Sequence, residues 1–551
     1  MSPSSSHAAR FASFVTRYWA GALSLLVSSA LVLCIALEEI RLRAGSFADF
    51  SDYWEHAAVL RALIDDPWRP SNPHLPNLVS SPRFGPVNVM MAFVARGLGL
   101  DALNALGVLA VVNTLCFVLG IWLFFRTYFR DSRAGLYGLL VMLGSWWEAW
   151  TFTSIYQPKV LLSVACYPWL SALGITLLGL ALALRSLRKP KPRAAELALL
   201  VLWAALVFLT HQITAMLALS ALGLAALTEP HVSLPRRAWV VGAGIAGCVL
   251  SGLWPYFSVW HLLRGGQQEA GWVSQGLEAA ARGVVVVERH RFYRPKELLP
   301  ALGLALLGVA FLPYFFLRWR RLFVGLGVLS MLGPFVLNAF IPLPLGHRFI
   351  LLAVFFLHVA VVWLLMALTP DSAEFVPALN RRWLRVLSVV VVWAVLLPFV
   401  VHNVQRTMKE WAYFETFARR GASPFVRYGR RVAELAGDHA VILGETRVLW
   451  PIPAFGPKVV AAHHENPFIP DEAQREAAID LFFARQTSDD TRVELLRRYH
   501  VSHVIVKREP LGSARAFLAA HAHRDVLPAG YLLFTLDAAT SGARCTITRA
   551  K

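Results

Sequence analysis

The chain has 551 residues, of which 57% are hydrophobic and 16% are charged, and its formal net charge is +19. A soluble globular chain is about 45–50% apolar, so this composition, with a mean hydropathy of +0.53, indicates a membrane protein. The positive charge does not indicate a nucleic-acid partner, because the basic residues separate apolar segments and form no single patch. The five cysteines include no CxxC pair, so the sequence indicates neither a disulfide framework nor a zinc site.

The first apolar segment, residues 18–37, follows Arg10 and Arg17 and precedes Glu38 and Glu39. It has the length of a membrane span, which needs about 20 apolar residues. A signal peptide would end at a small-residue cleavage site, and no convincing one stands before the two glutamates. We therefore interpret the segment as a retained first span.

A polar, proline-rich loop follows, and its residues 50–63 predict a short helix. The i, i+3, i+4 spacing of Asp52, Glu55 and His56 places these side chains on one helical face, while an apolar row lines another face. The pattern predicts an amphipathic helix that lies on the membrane and presents carboxylates. Residues 84–99 predict a second interfacial helix.

About ten further apolar runs have the length of a span. They lie near 102–125, 134–150, 156–184, 195–210, 213–228, 238–261, 298–317, 322–341, 348–368 and 384–402. With the first segment they make about eleven spans. Basic residues mark alternate gaps, which the positive-inside rule assigns to the cytoplasm. The N-terminus is therefore predicted inside, and the region after the last span outside.

One part of this topology depends on a hinge. Residues 195–228 are too long for one span without strong tilt, so we predict two short spans that meet at His211. One long span would reverse everything after it and place the basic loop 282–296 in the cytoplasm. With the hinge, polar residues gather at the outer ends of spans. They are Asp52, Glu55, His56, Lys159, His211, His347 and Arg348.

From about His402 the pattern becomes that of a soluble domain. After an amphipathic helix at 405–435, predicted strands at 440–444, 458–462, 502–507 and 531–536 alternate with predicted helices at 471–485, 489–499 and 512–521. The segment has no Walker loop and no GxGxxG motif after a strand, so no nucleotide site is predicted. The predicted fold is mainly α: a polytopic bundle at 1–402, with its first outer loop at 38–101, and an extracytoplasmic α/β domain at 403–551.

The acids of the first outer loop have a functional and a structural interpretation. Asp52 and Glu55 suit a proton acceptor and an orienting or metal-binding acid, since transfer to a hydroxyl needs a carboxylate that takes its proton. The same charges would also keep an interfacial helix solvated. Glu38, Glu39 and Asp49 compete for either role.

The basic candidates also have both a functional and a structural interpretation. Arg348 suits recognition of a phosphate, but an arginine that begins a span also snorkels to the interface. Lys159 and His211 both suit contacts with a substrate. Their structural alternatives are a lysine at the end of a span and a histidine that caps a helix. The basic loop 282–296 suits anionic lipid or a lid over a phosphate. A metal site at His463-His464-Glu465 is not favoured, because adjacent histidines on a strand point in different directions.

Three short motifs and the domain order carry a resemblance. The motifs are Asp52-Tyr-Trp-Glu55-His56, Ser80-Ser-Pro-Arg-Phe-Gly-Pro86 and Gly346-His-Arg348, and an α/β domain follows the last span. On these features the chain resembles the GT-C superfamily of polytopic membrane glycosyltransferases, which includes protein mannosyltransferases, aminoarabinose transferases and bacterial relatives.

The resemblance implies a sugar donor linked to polyprenyl phosphate, in contact with membrane lipid, and transfer to a glycan, lipid or protein acceptor on the outer face. It implies that Asp52 is the general base, that Glu55 is the second acid, and that Arg348 and Lys159 bind the lipid phosphate. His56, His211 and His347 are further expected substrate contacts. The family more often shows an adjacent Asp-Glu pair, so the choice among Asp49, Asp52 and Glu55 stays open. A base opposite the leaving phosphate predicts inversion.

Other functions remain in view. A polymerase or ligase of lipid-linked glycans shares many spans and outer arginines, but usually lacks acids so soon after the first span. A transporter would show internal repeats, and a non-catalytic assembly protein would keep only the architecture. The sequence places the chain in the inner (plasma) membrane as a multi-pass protein. It names no certain cofactor and leaves a divalent metal, the sugar and the acceptor undecided.

Overall fold

The structure is a computed structural model of the chain. It describes residues 3–42, 52–76, 80–150, 152–265, 291–340, 343, 346–418, 424–464, 466, 468–507, 512–538 and 540. Asp49, Glu465, Cys545 and most of the basic loop 282–296 lie outside the described residues.

The chain divides into two compact units. The bundle unit consists of Met1–Glu38, Ala110–Trp254 and Gly266–Ala412. The sheet unit consists of Glu39–Leu109, Pro255–Gly265 and Tyr413–Lys551. The segment after the last predicted span therefore shares a unit with most of the predicted first outer loop.

The described elements are mainly helical. In chain order the α-helices are α1 (Pro3–Leu42), α2 (Tyr53–Asp65), α3 (Pro86–Leu98), α4 (Ala102–Phe129), α5 (Ser132–Gly144), α6 (Pro158–Val164), α7 (Pro168–Arg188), α8 (Ala194–Thr210), α9 (Gln212–Thr228), α10 (Leu234–Leu250), α11 (Val259–Gly265), α12 (Pro295–Leu302), α13 (Ala305–Ala310), α14 (Leu322–Leu337), α15 (Phe349–Leu368), α16 (Arg382–Ala418), α17 (Pro424–Ala436), α18 (Thr446–Leu449), α19 (Glu472–Phe483), α20 (Asp489–Arg498) and α21 (Ser513–His521). The strands are β1 (Val441–Leu443), β2 (Lys458–Val459), β3 (His503–Lys507), β4 (Ala522–Val526) and β5 (Tyr531–Leu536).

Within the described residues, 6 helices are long and apolar enough to cross a membrane. They are Trp19–Glu38, Ala102–Phe129, Pro168–Arg188, Trp319–Leu337, Gly346–Leu368 and Trp383–Tyr413. The protein is thus an integral, multi-pass membrane protein. Several other predicted spans coincide with shorter helices, and the one predicted at 298–317 is broken between α12 and α13. The count of eleven spans stays a prediction.

The predicted hinge at His211 separates two helices that pack against each other. Helix α8 ends at Thr210, and α9 begins at Gln212. His211 between them has an extended backbone with φ −158° and ψ 104°, and its Nδ1 accepts the backbone N–H of Thr214 at 3.3 Å. The histidine thereby caps α9, since the first N–H groups of a helix have no partner inside it.

A buried ion cluster supports the same reversal of the chain. The carboxylate of Glu229, after α9, accepts hydrogen bonds from Arg188 at the end of α7, at 2.7 and 3.1 Å. Arg188 also donates to the backbone oxygens of Thr127 and Tyr128 near the end of α4. One continuous helix over 195–228 would separate its ends by about 50 Å at 1.5 Å per residue. The contact therefore confirms two antiparallel helices.

The sheet unit contains a five-stranded sheet in the order β2-β1-β3-β5-β4. β1 pairs in parallel with β2 and β3, whereas β5 pairs antiparallel with β3 and β4. The four predicted strands are confirmed. Strand β4 was missed because its sequence, Ala-His-Arg-Asp-Val, is polar and mostly exposed, as suits the edge of a sheet.

Both faces of this sheet are covered. Val441, Leu443 and Val504 face a core formed with α19, α20 and α21. Ile442 and Ile505, which alternate with them along the strands, face the opposite core, formed with α17. Because side chains alternate across a strand, continuous apolar runs such as Val441–Leu443 in β1 and Val504–Val506 in β3 are what this doubly covered arrangement requires.

The first predicted outer loop contributes to the second of these cores. Leu75 is 1% exposed and belongs to the cluster with Ile442 and Leu533. The backbone N–H of Val459 in β2 donates to the oxygen of His74 at 2.8 Å. Lys458 Nζ donates to the backbone oxygen of Asn72 at 2.8 Å. The loop and the C-terminal segment thus share one hydrophobic core.

Helix α2 is buried in the sheet unit. Its residues 53–60 are all buried, and the ring of Trp54 lies 5.8 Å from that of Phe455. The prediction of an amphipathic helix lying on the membrane was therefore wrong. Helical periodicity places Glu55 and His56 on one face but does not tell whether that face meets water, lipid or protein.

Candidate active site

The carboxylates of Asp52 and Glu55 lie at the start of α2 in different surroundings. Asp52 is the N-cap residue, but its side chain makes no capping hydrogen bond, and 38% of it is exposed. Glu55 lies one turn further on, and its side chain is 8% exposed. A buried carboxylate requires paired charges or hydrogen bonds, so the partners of Glu55 define the site.

Arg83 supplies the first partner. Its Nε donates to Glu55 Oε1. The arginine is held in a short turn: its backbone N–H donates to Ser81 Oγ at 3.3 Å, and its backbone oxygen accepts from Asn88 Nδ2 at 2.9 Å. The turn immediately precedes α3, so the polar segment 80–86 positions a cation against the buried acid.

His464 supplies the second partner from the far end of the chain. Its Nδ1–H donates to Glu55 Oε2 at 2.6 Å, and its Nε2 lies 3.8 Å from Asp52 Oδ1. The ring of Trp450 packs against His464 at 4.7 Å, nearly perpendicular to it. One imidazole therefore contacts both carboxylates.

These contacts set the protonation of the cluster. Burial opposes ionisation of Glu55, but the charge of Arg83 and the hydrogen bond from His464 outweigh it and hold the pKa of Glu55 well below its usual range. Burial also opposes the charge on His464, yet the hydrogen bond and charge of Glu55, with the charge of Asp52, raise the pKa of His464 above 6.5. At neutral pH Glu55 is an anion, and His464 is protonated more often than a free histidine.

Two other histidines near this cluster are poor candidates for substrate contact. His56 is 5% exposed, so its side chain offers little surface to a substrate in this conformation, and its predicted contact with a substrate stays a prediction. Burial lowers the pKa of His74 to about 4, against the opposing charge of Glu55. His74 is therefore neutral at physiological pH.

The remaining predicted residues lie in the bundle unit. His347 stacks on Phe292 with ring centres 5.8 Å apart, and the guanidinium of Arg348 lies 5.3 Å from the centre of the Phe152 ring. The ring centres of Phe152 and Phe292 are 5.0 Å apart, so His347 and Arg348 pack against two aromatic rings that contact each other. Both precede α15, and near its other end the guanidinium of Arg320, which pairs with Glu374, lies 5.6 Å from the centre of the Trp363 ring.

Lys159 and His211 both lie at the beginning of a helix, α6 and α9 respectively. Lys159 is partly buried in the first turn of α6. The preceding Gln157 donates through Nε2 to Asn403 Oδ1 at 2.6 Å, which fixes the start of that helix. The capping role of His211 is the structural alternative for this residue, and its contact with a substrate stays a prediction.

Sequence reasoning missed two residues of the site, Arg83 and His464. Arg83 stood inside the Ser80–Pro86 motif without an assigned role. His464 was considered only as a metal ligand and set aside as part of a strand, but β2 ends at Val459, so strand alternation does not apply to it. In the described part of the chain no group of three or more His, Cys, Asp or Glu side chains is arranged to hold a metal ion, and we assign no metal ligands.

Comparison with known proteins was informative at the level of structure. No protein-family profile and no curated protein matches the sequence. The crystal structure of ArnT from Cupriavidus metallidurans bound to undecaprenyl phosphate is similar, with a TM-score of 0.52 and 13% identity over 94% of this chain and 100% of that one. The oligosaccharyltransferase of Archaeoglobus fulgidus in its apo form is similar with a TM-score of 0.50 and 11% identity over 90% of this chain and 70% of that one.

The chain has the GT-C fold. Both similarities extend over nine-tenths or more of its length, so they include the helical bundle and the C-terminal α/β segment. The resemblance drawn from the three motifs is thereby confirmed for the fold. In this chain, the acids after the first predicted span form a defined cluster with Arg83 and His464.

Proposed function

We propose that this GT-C protein is a glycosyltransferase that moves a sugar from a polyprenyl-phosphate donor to an acceptor hydroxyl on the outer face of the inner membrane. The observation that carries the proposal is the cluster at the start of α2, where a half-exposed Asp52 stands beside a fixed Glu55. The fold is that of ArnT bound to undecaprenyl phosphate and of an oligosaccharyltransferase.

Asp52 is the proton acceptor in this proposal. The acceptor oxygen forms a bond to the anomeric carbon while its proton passes to the Asp52 carboxylate, and the bond between that carbon and the lipid phosphate breaks. The lipid phosphate leaves with the electron pair. Attack from the side opposite the phosphate inverts the anomeric carbon. Glu55 orients the site and does not take the proton, because Arg83 and His464 already occupy its two oxygens.

Arg348 and Lys159 are the proposed phosphate contacts. A guanidinium matches two phosphate oxygens at once, and a cation near the leaving oxygen stabilises charge as it develops. His347, stacked on Phe292, gives this end of the bundle unit an additional polar edge beside an aromatic surface. Such a surface suits the boundary between a lipid chain and its phosphate.

Deleting the gene tests the reaction directly. We expect mass spectrometry of membrane glycans and lipid extracts to show that one sugar is lost from its acceptor and that the same sugar accumulates on polyprenyl phosphate. Restoring the gene should reverse both changes. A loss of long glycan chains with the single sugar still attached would indicate a polymerase or ligase instead. Unchanged glycans and lipids would contradict the proposal.

Replacing Arg348 with alanine tests the donor phosphate. Binding of undecaprenyl phosphate to the purified protein in detergent, measured by native mass spectrometry, should weaken about 10- to 100-fold, because a charge-assisted contact is lost. The matched control is Arg318→Ala, an exposed arginine close in sequence to the Arg320–Glu374 pair at the other end of α15. Equal affinity of the two variants would favour the snorkelling role for Arg348.

A further inference from the structure

The C-terminal segment brings His464 to the acids of the first outer loop. The residues are 409 positions apart in the chain, yet His464 Nδ1 and Glu55 Oε2 are 2.6 Å apart. The opposite ring nitrogen, Nε2, faces Asp52 Oδ1 at 3.8 Å. Trp450 packs against the ring at 4.7 Å and limits its rotation. In the proposed transfer reaction this histidine has a role only as a partner of Glu55.

We propose that His464 is a positioning residue, which joins the proton acceptor Asp52 to the buried Glu55 and holds the Asp52 carboxylate in the orientation for transfer. The inference rests on the proposed function and deepens it, because it makes the C-terminal segment part of the active site. Asp52 itself begins a helix and is followed by a buried face, but its own side chain lacks a capping hydrogen bond. Among the described residues, the imidazole of His464 makes an ion-pair contact with this carboxylate, with Nε2 3.8 Å from Asp52 Oδ1, and this contact can hold its orientation.

The charges in the cluster favour this role for the protonated ring. From α2 the ring meets two carboxylates, those of Asp52 and Glu55. Arg83 and the neutral His74 approach from the first outer loop, and Arg83 opposes a further positive charge. With Arg83 as the one cation, the carboxylates of Asp52 and Glu55 leave the cluster with a net negative charge. A protonated His464 balances that charge.

The remaining neighbours belong to the same stretch of chain as His464. His463 stacks on His464 with ring centres 5.2 Å apart and directs its Nδ1 to Thr446 Oγ1 at 3.4 Å. Burial lowers the pKa of His463, and the charges of His464 and Arg447 lower it further. Of the two adjacent histidines, only His464 is therefore expected to carry a charge near neutral pH.

Two amide substitutions separate the two contacts of the ring. Asparagine places its amide near the position of Nδ1 and retains the donor to Glu55, whereas glutamine reaches towards the position of Nε2 and retains a donor to Asp52. Neither amide becomes charged. If His464 served only to hold Glu55, His464→Asn would behave as wild type. If it positions Asp52, His464→Asn loses transfer, and His464→Gln recovers part of it.

The first measurement is the rate of transfer against pH. Purified protein is added to membranes of the deletion strain, which hold their own lipid-linked sugar and acceptor. We expect the wild-type rate to fall as the pH rises through the pKa of His464. The rate of His464→Asn should be about 10- to 100-fold lower and should lack this decline. The control His463→Asn should keep the decline. A wild-type rate and profile in His464→Asn would overturn the proposal.

The second measurement needs no substrate. A histidine whose pKa is raised in the folded state stabilises the protein fully below its unfolded pKa, about 6.5, and this stabilisation is lost as the pH rises through the folded pKa. The difference in Tm between wild type and His464→Asn should therefore be largest at acidic pH and should disappear towards alkaline pH. His464→Gln should show the same dependence of this difference on pH. A difference independent of pH in both variants would overturn the proposal. If deleting the gene changes no glycan but the pH-dependent difference is present, the proposed function fails while the ion cluster stands.

Discussion

Replacing Asp52 with asparagine is expected to abolish transfer and to leave the protein folded. The substitution keeps the shape of the side chain and removes the proton acceptor, whose contribution in such reactions is about 10²- to 10⁴-fold. Stability should change little, because 38% of the side chain is exposed and it makes no capping hydrogen bond that the substitution could remove. The measurement is the glycan and lipid mass spectrum of the deletion strain carrying the variant, beside the Tm of the purified protein.

Asp480→Asn is the matched control for this experiment. Asp480 is an exposed carboxylate on α19 of the same unit, so its loss should affect neither transfer nor Tm. Normal glycans with Asp52→Asn would remove Asp52 from the mechanism. Comparison with Glu55→Gln would then show which acid matters. A variant at Glu55 that folds and lacks transfer while Asp52→Asn retains it would assign the base to Glu55.

The segment 413–551 produced alone is expected to remain unfolded. Its sheet would lack Leu75 from one core and the backbone partner of Val459. It would also lose Trp54 from the surface of Phe455 and leave His464 without Glu55. Removing a single buried leucine side chain costs about 2–5 kcal/mol, whereas a whole domain is stable by only about 5–15 kcal/mol. Losing both helix α2 and the segment around Leu75 exceeds that margin.

The measurement is the dispersion of amide signals in the NMR spectrum of the fragment, together with its thermal unfolding. The same segment with residues 52–109 attached through a long flexible linker should give a dispersed spectrum and a cooperative transition. In the full chain, Leu75→Ala should lower stability by about 2–5 kcal/mol. A cooperative, well-dispersed fragment 413–551 would show that the C-terminal segment is an independent domain, with its boundary close to residue 403.

The parts of the fold that the sequence predicted are those with local causes. The strands Val441–Leu443 and Tyr531–Leu536 are apolar runs of the right length, and the break at His211 follows from a run too long for one span. The burial of α2 has no such local cause, since its apolar face is the same whether lipid or Phe455 covers it. The pairing of Glu55 with His464 was equally hidden, because nothing in either stretch indicates the other.

The basic residues carry more than one kind of information. They were interpreted as signals of topology, and several of them prove to bind the ends of helices. Arg188 donates to backbone oxygens near the end of α4, and Arg237 donates to the oxygen of Glu229 at 3.0 Å after α9. Cations near the C-terminal end of a helix satisfy carbonyls that have no partner within it. A count of charges predicted which gaps share a side but did not predict these contacts.

The separation of Glu55 and His464 by 409 positions has a consequence for biosynthesis. At about 5–20 residues per second, a ribosome makes the histidine roughly 20 to 80 s after the glutamate. During that interval the growing polypeptide already contains Asp52, Glu55 and Arg83 but lacks His464. A messenger that ends early, or a chain cut before residue 464, therefore yields a protein without the contact between His464 and Glu55. Under the proposed function, such an unfinished chain lacks the contact that positions Asp52 for transfer.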